Sequence, residues 1–507
     1  MKKKGFTLIE LLAVILILGI IALIAIPTVN NILKEARRGA FQSTLENLVK
    51  AIEEKCTTEQ IKNQEITTMY VIENGIISPS LDIKGNLPDG IFYVTKLCEV
   101  EFDVYDNNFM ASRTVDGKII ISDKKNNNGE YTDAILNGAD PVLSDDLVPV
   151  TIADDGKVYK ADTKTKWYSY KEKKWANAVV LSDEGKVEND GLIKEESIAA
   201  YFVWIPRYKY KLFDMGNYTS ATNISEKIEV NKARTIEIVF ETKDEPVSIG
   251  TQVGEYHSHP AFIEFDVNGF WMAKFQTSGS AESPKSKPNQ QPLVNIDLKG
   301  FFESAYNFRR NSDSHMLKNT EWGAASYLTY SKYGINGEVA FNGEYRTGYG
   351  KDYVNNVYQP YNTEVGSKAS TTGNITGVYD MSGLKQESVA AYRDGLLANS
   401  GFTEEIINFY DSKYFNVYPS NSSSYSYNYR ILGDATGELG PFYYYDDDAY
   451  YHNSWNFNDS RFVDDNGGWF YRGGRNAVES ISGIFSFHRN KGDGHPYNTF
   501  RMSLAIK

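Results

Sequence analysis

One glutamate stands alone in an apolar run near the N-terminus, just after three lysines and a glycine. Met1-Lys-Lys-Lys-Gly5 precedes Phe6–Ile26, in which Glu10 is the single charge. At ~1.5 Å per residue this run matches the roughly 30 Å hydrocarbon core of a bilayer. An unpaired carboxylate there costs up to about 2.5–3.5 kcal/mol. Cleavage after Gly5 would supply a partner, the new α-amino group of Phe6, one helical turn from Glu10. In a packed bundle the amine of a neighbouring subunit serves equally well. Lys2, Lys3 and Lys4 put the start of the helix on the cytoplasmic side. A secretory signal would be shorter and would be cut after its apolar region. The rival reading is a plain membrane anchor that tolerates Glu10 near the interface.

Other candidates for chemistry are few. The two cysteines, Cys56 and Cys98, exclude a disulfide-dense scaffold and a zinc-finger cluster. They either pair, closing a loop of about 43 residues, or remain two thiols. Glu255-Tyr-His257-Ser-His259-Pro260 is similar to the His-x-His-Pro core of zinc isopeptidases. That site also needs a serine and an aspartate, and Asn268 and Trp271 stand near those positions. A loop position is therefore expected for both histidines. His315, His452, His488 and His495 show no ligand spacing. Asp446-Asp447-Asp448 lacks the alternating pattern of a calcium loop and reads as a solvated tip. No P-loop occurs, so an assembly motor is excluded. No metal or cofactor is expected. A net charge of −13, from 53 Lys+Arg against 66 Asp+Glu, argues against nucleic acid as a partner.

Lys4-Gly-Phe-Thr-Leu-Ile-Glu10 resembles the prepilin-type leader of type IV pilins and type II secretion pseudopilins. The resemblance covers about the first 35 residues. It implies that a prepilin peptidase cuts after Gly5 and N-methylates Phe6. It implies further that Glu10 guides assembly with other pilin subunits, and that the apolar helix moves from membrane to filament core. Pro27 fits the helix-kinking proline of many pilins, since its missing N–H breaks the ladder.

The elements that would carry these residues follow from periodicity. Ile32, Leu33, Ala36, Phe41, Leu45, Leu48, Val49 and Ile52 recur at helical spacing, extending the helix past residue 27. Thr67–Ile72, Ile91–Val104 and Ala111–Ser122 alternate as strands, with Asn74-Gly75, Asp89-Gly90 and Asp116-Gly117 as turns. Residues 28–125 thus read as a small pilin head, with Cys56 near the helix end and Cys98 in a strand. Polar, turn-rich residues 126–147 read as a linker, and 148–198 as a small hairpin module carrying Trp167 and Trp175. From 199 to 507 a large β-rich domain is expected. It opens with Tyr201–Pro206, continues with a buried strand at Gly269–Lys274, and turns helical near Ser314–Tyr333 and Ser388–Leu397.

This last region has a resemblance of its own. Gly377-Val-Tyr-Asp-Met-Ser-Gly383, Lys318-Asn-Thr-Glu-Trp-Gly-Ala-Ala325, Arg472-Gly-Gly474 and Thr499-Phe-Arg-Met-Ser-Leu-Ala505 resemble blocks of the formylglycine-generating-enzyme family. The resemblance implies a C-type-lectin-like scaffold. After the Gly377–Gly383 block that family has Asn-Val-Trp-Glu, whereas Leu384-Lys-Gln-Glu387 keeps only the acid. The oxidising members bind copper through cysteines in this half, and this chain has none after Cys98. Thiolate chemistry is therefore excluded there, and no enzyme is expected.

With 36 Tyr against 7 Trp, the late loops suggest a contact surface. Tyrosine supplies rigid amphipathic area at low entropy cost. Tyr443, Tyr450, Tyr451, Trp455, Phe457 and Trp469 are the candidate ligand-binding residues. The whole reads as an α+β protein, a minor pilin-like surface subunit. Its anchored helix polymerises, and its lectin-like domain binds an extracellular glycan or protein. The alternative is a structural pilin or pseudopilin whose large domain only caps the filament.

Overall fold

The computed structural model describes the backbone from Leu8 onward. It omits residues 63, 65, 68, 74, 84, 95–96, 107–108, 114–118, 124–137, 213–234, 244–255, 421–432 and 437–454. The side chains of residues 1–32 and of a few further positions also lie outside the described set. The chain divides into two compact units, Met1–Tyr131 and Thr132–Lys507.

In the first unit a helix, α1, runs from Leu8 to Ile61 over 54 residues. Pro27, the expected kink, falls inside it, with its side chain outside the described residues. So do the side chains of the apolar run, Glu10 included. Among the described residues no helix is long and apolar enough to cross a membrane. The apolar stripe predicted beyond the run starts later than expected. Leu33 is 48% exposed and Ala36 is exposed, whereas Phe41, Leu45, Leu48, Val49, Ile52 and Cys56 are buried.

That stripe packs on an antiparallel sheet of β1 (Met69–Glu73), β2 (Ile76–Ser78), β3 (Asp89–Val94), β4 (Val100–Tyr105), β5 (Phe109–Arg113) and β6 (Ile119–Asp123), ordered β2-β1-β3-β4-β5-β6. Tyr70, Ile72, Phe92, Phe102, Val104 and Phe109 alternate onto the helix side. Phe92 and Phe102 are directly paired across β3 and β4, ring centroids 5.1 Å apart. The expected Asn74-Gly75 turn falls between the paired Glu73 and Ile76, with Gly75 at φ +74° and Asn74 outside the described residues. Asp89-Gly90, expected as a turn, instead begins β3. The run 91–104 is not one strand, because the chain reverses between β3 and β4. Cys98 sits in that reversal at φ 60°, outside any strand.

Cys56 and Cys98 form a disulfide, with Cα atoms 5.6 Å apart. It ties the last turns of α1 to the β3–β4 corner. Replacing both cysteines by serine is expected to lower the stability of this unit by about 2–4 kcal/mol, mainly by freeing the unfolded chain. Urea unfolding with and without reductant checks this. A reductant-insensitive parent would contradict it.

The second unit has a large core and a smaller buried cluster around Val150, Val179 and Phe275. Among the described residues, β7 (Val148–Ile152), β8 (Val158–Lys160), β9 (Asn177–Leu181), β10 (Leu192–Ile193) and β11 (Ile198–Pro206) join three further strands in an eight-stranded sheet. Its order is β10-β8-β7-β9-β11, then Gly269–Ala273, Met502–Leu504 and Ser314–Met316. Residues 148–198 are thus sheet strands of the large unit and not a separate module. Trp175 is buried, and its indole donates to the Tyr333 carbonyl at 2.8 Å. Nor do residues 138–147 form a free linker. Trp204 donates to the Ala139 carbonyl at 3.0 Å and Trp271 to that of Val142 at 2.7 Å. The rest of the expected linker lies outside the described residues.

β11 is covered on both faces, which is why it reads as an unbroken apolar run. Trp204 and Trp271 pair across it, 5.3 Å apart. The helical reading holds for Asn319–Thr329 but fails for Ser388–Leu397, where Gln386–Arg393 is a strand. Six consecutive residues there are buried between two neighbouring strands, so the tertiary setting overrides the helix propensity of Ala390 and Ala391. This strand runs parallel to Asn416–Tyr418 and to Asn498–Thr499, and antiparallel to Trp469–Gly473, which pairs in turn with Gly483–Asn490.

Candidate functional site

The four sequence blocks of the large unit converge, and they do so in its interior. Glu387 and Arg501, both 0% exposed, form a two-pronged ion pair at 2.8 and 2.5 Å. Arg501 also donates to the carbonyls of Ala273 and Tyr379, at 2.8 Å each. Glu387, the acid retained after the Asp-Met-Ser-Gly block, is thereby committed to scaffold. Asp380 accepts from Asn342 and from the Gly348 N–H, at 2.8 Å each. Burial raises its carboxyl to about 6, with the Arg501 charge opposing. Lys274 donates to Asn177, Ile375 O and Gly377 O at 2.7–2.9 Å, and burial pushes its pKa well down.

Glu321, in the Lys318–Ala325 block, reaches back to the Lys318 N–H at 3.0 Å, the carboxylate half of a capping box. It also accepts from His315 at 3.0 Å and Ser503 at 2.7 Å. Trp322 donates to the Ile484 carbonyl at 2.8 Å, and the Arg472 guanidinium lies 5.5 Å from its ring centre. Gly383 is at φ +88°, where a Cβ would stand 2.4 Å from the Asn342 carbonyl oxygen. These contacts lock the blocks together as satisfied buried polar groups.

His257 and His259 are both buried, His257 in the short strand His257–Ser258 rather than a loop, and His259 in the connection between that strand and the next helix. His259 caps the short helix Pro260–Phe265 by accepting from the Ala261 N–H at 3.3 Å. The rings of Tyr208 and Tyr210 lie 5.3 and 5.2 Å away, and burial holds its pKa down at about 3. Among the described residues no three His, Cys, Asp or Glu side chains cluster as metal ligands.

The expected aromatic surface needs correction at two positions. Trp455 is 0% exposed, edge-on to Phe485 at 5.0 Å. Trp469 is 0% exposed, stacked on Phe402 at 5.6 Å, with its N–H donated to the Leu397 carbonyl at 3.2 Å. Both are core residues, since burying a large indole removes much apolar surface from water. Tyr443, Tyr450, Tyr451 and the acidic run 446–448 lie outside the described residues, as does the Phe457 side chain.

What the same strands do present outward was missed in the sequence. Tyr471 and His488 are directly paired across Trp469–Gly473 and Gly483–Asn490, and both are half-buried. Their rings are nearly parallel, 16° apart with centroids at 5.2 Å. Burial holds His488 at about 4, so its ring is neutral at physiological pH. Residues 459–461 add a parallel bridge along the outer strand, with Ser460 opposite Phe487. Phe487 faces the core, so the flanking Asp459 and Arg461 share the His488 side. The signal for this face was strand parity, which required knowing the register. Elsewhere, the hairpin Tyr349–Pro360 exposes Tyr353 (61%) and Val354 (91%). A cleft of ≈ 580 Å³ opens between Ser182, Glu282 and Asn307, lined by acids and bases alike.

The prokaryotic N-terminal methylation motif matches residues 1–26. That match supports a type IV pilin-like or pseudopilin subunit. It implies processing by prepilin peptidase, membrane insertion and assembly with other pilins. No curated protein matches the chain.

Proposed function

We propose that the chain is a minor, surface-displayed subunit of a type IV pilin-like filament. Its N-terminal helix anchors and polymerises, and its large C-terminal unit presents a ligand-binding surface. The observation that carries this is the pairing of a methylation motif at residues 1–26 with a separate unit of residues 132–507. A filament core requires only the helix and a small head, so the second unit is cargo for display. A C-type-lectin-like scaffold suits that role, and the convergence of the four sequence blocks in one buried network supports it. The domain binds and does not oxidise.

Two measurements test this. N-terminal mass spectrometry of assembled material is expected to find methyl-Phe6 as the first residue, and an intact Met1 would overturn the processing step. Full-length protein in detergent is expected to capture glycans or proteins from arrays, with capture lost when residues 132–507 are deleted. Equal capture by the deleted form would overturn the display role.

A further inference from the structure

We infer that the outward face around Tyr471 and His488 binds a saccharide that carries a carboxylate. This rests on the large unit being a display domain, and it names the ligand class. The stacked Tyr471–His488 pair is a flat, uncharged platform, and aromatic faces attract the electropositive C–H edges of a pyranose ring. Around it lie polar groups without partners. Asp459 is 5% exposed, and its carboxyl makes no side-chain hydrogen bond among the described residues. Ser486, on the same side of its strand as His488, has a buried hydroxyl with no partner. Arg475 rests over the Tyr497 ring at 4.9 Å and forms no ion pair among the described residues, and its Nε is buried and unpartnered.

Buried polar atoms without a partner also occur elsewhere in this unit, those of Gln276 and Ser304 among them, and those of Ser486 and Arg475 are the ones a ligand on this face would complete. Arg475 and Asp459 both act electrostatically on the Tyr471 hydroxyl, with opposite sign. Burial raises Asp459 to about 7, against the opposing Arg461 charge, leaving it able to donate as well as accept. A forked cation suits a carboxylate. A carboxyl that both donates and accepts, beside an unpaired hydroxyl, suits sugar hydroxyls. Neutral sugars leave Arg475 unanswered, and simple anions leave the platform empty.

The test is calorimetric titration of the full-length protein with 3′-sialyllactose against lactose, and glucuronate against glucose. The acidic member of at least one pair is expected to bind about tenfold or more tightly than its neutral counterpart. Arg475→Gln should erase that preference, and Tyr471→Ala should weaken both members. Melting temperatures equal to the parent's certify folding of the variants. On the unaltered protein, sialyllactose should slow carbethoxylation of His488 by diethyl pyrocarbonate, read by peptide mass spectrometry. Equal affinity within both pairs, no binding of any of the four, an unchanged Arg475→Gln variant or an unprotected His488 would overturn the assignment. If the arrays still show capture that depends on residues 132–507, the display role survives and only this site fails. If that capture is absent too, both fail.

Discussion

Glu10→Ala will leave the protein inserted and cleaved but outside the filament. The substitution removes the single charge from the apolar run Phe6–Ile26, so insertion becomes cheaper by up to about 2.5–3.5 kcal/mol. Cleavage depends on Gly5 and Phe6, which are unchanged. What is lost is the partner of the Phe6 amine. In the apolar core of a bundle that amine would be a lone buried cation, and an unpaired charge in such a setting is strongly destabilising. The fraction of subunit recovered in sheared filaments is expected to fall to background, with the membrane pool processed as in the parent. Normal recovery in filaments would refute the pairing.

Arg501→Ala will destabilise the large unit by about 3–5 kcal/mol. The arginine is fully buried, it makes a two-pronged pair with Glu387, and it satisfies two backbone carbonyls. Truncation leaves Glu387 as a charge with no cation beside it and leaves a cavity the length of the side chain. Gln276 donates to Glu387 at 3.1 Å, which offsets only a small part of the loss. The urea midpoint of the second unit reports the effect. The double substitution Glu387→Leu, Arg501→Met should recover much of it, because removing both charges removes the desolvation cost with them. A single-variant loss under about 1 kcal/mol would show that the pair is not what closes this part of the core.

The N-terminus was legible because its chemistry is local. Three lysines, a glycine, an apolar run and one misplaced carboxylate constrain each other within ten residues, and the family motif matches that same stretch. The helix–sheet head was legible for a related reason, since Phe41, Leu45, Leu48 and Ile52 repeat at the helical period and Asn74-Gly75 dictates a hairpin. The turn at Cys98 was not, because its backbone conformation follows from a bond to a residue 42 positions away.

In the large unit the sequence by itself determined that strands dominate, that Gly269–Ala273 is buried and that four short blocks recur in order. It did not determine where an aromatic residue points. Trp455 and Trp469 belong to the same tyrosine-rich stretch as residues outside the described set, and composition cannot separate a ring packed on Phe402 from one facing solvent. Likewise Ser388–Leu397 carries helix formers, yet strands on both sides satisfy its backbone and make it a strand. The tertiary structure alone decided these, because a one-residue change of register turns every side chain of a strand to the opposite face. Only the register of Trp469–Gly473 against Gly483–Asn490 puts Tyr471 beside His488, while Trp469, two residues back on the same strand, packs on Phe402 in the core.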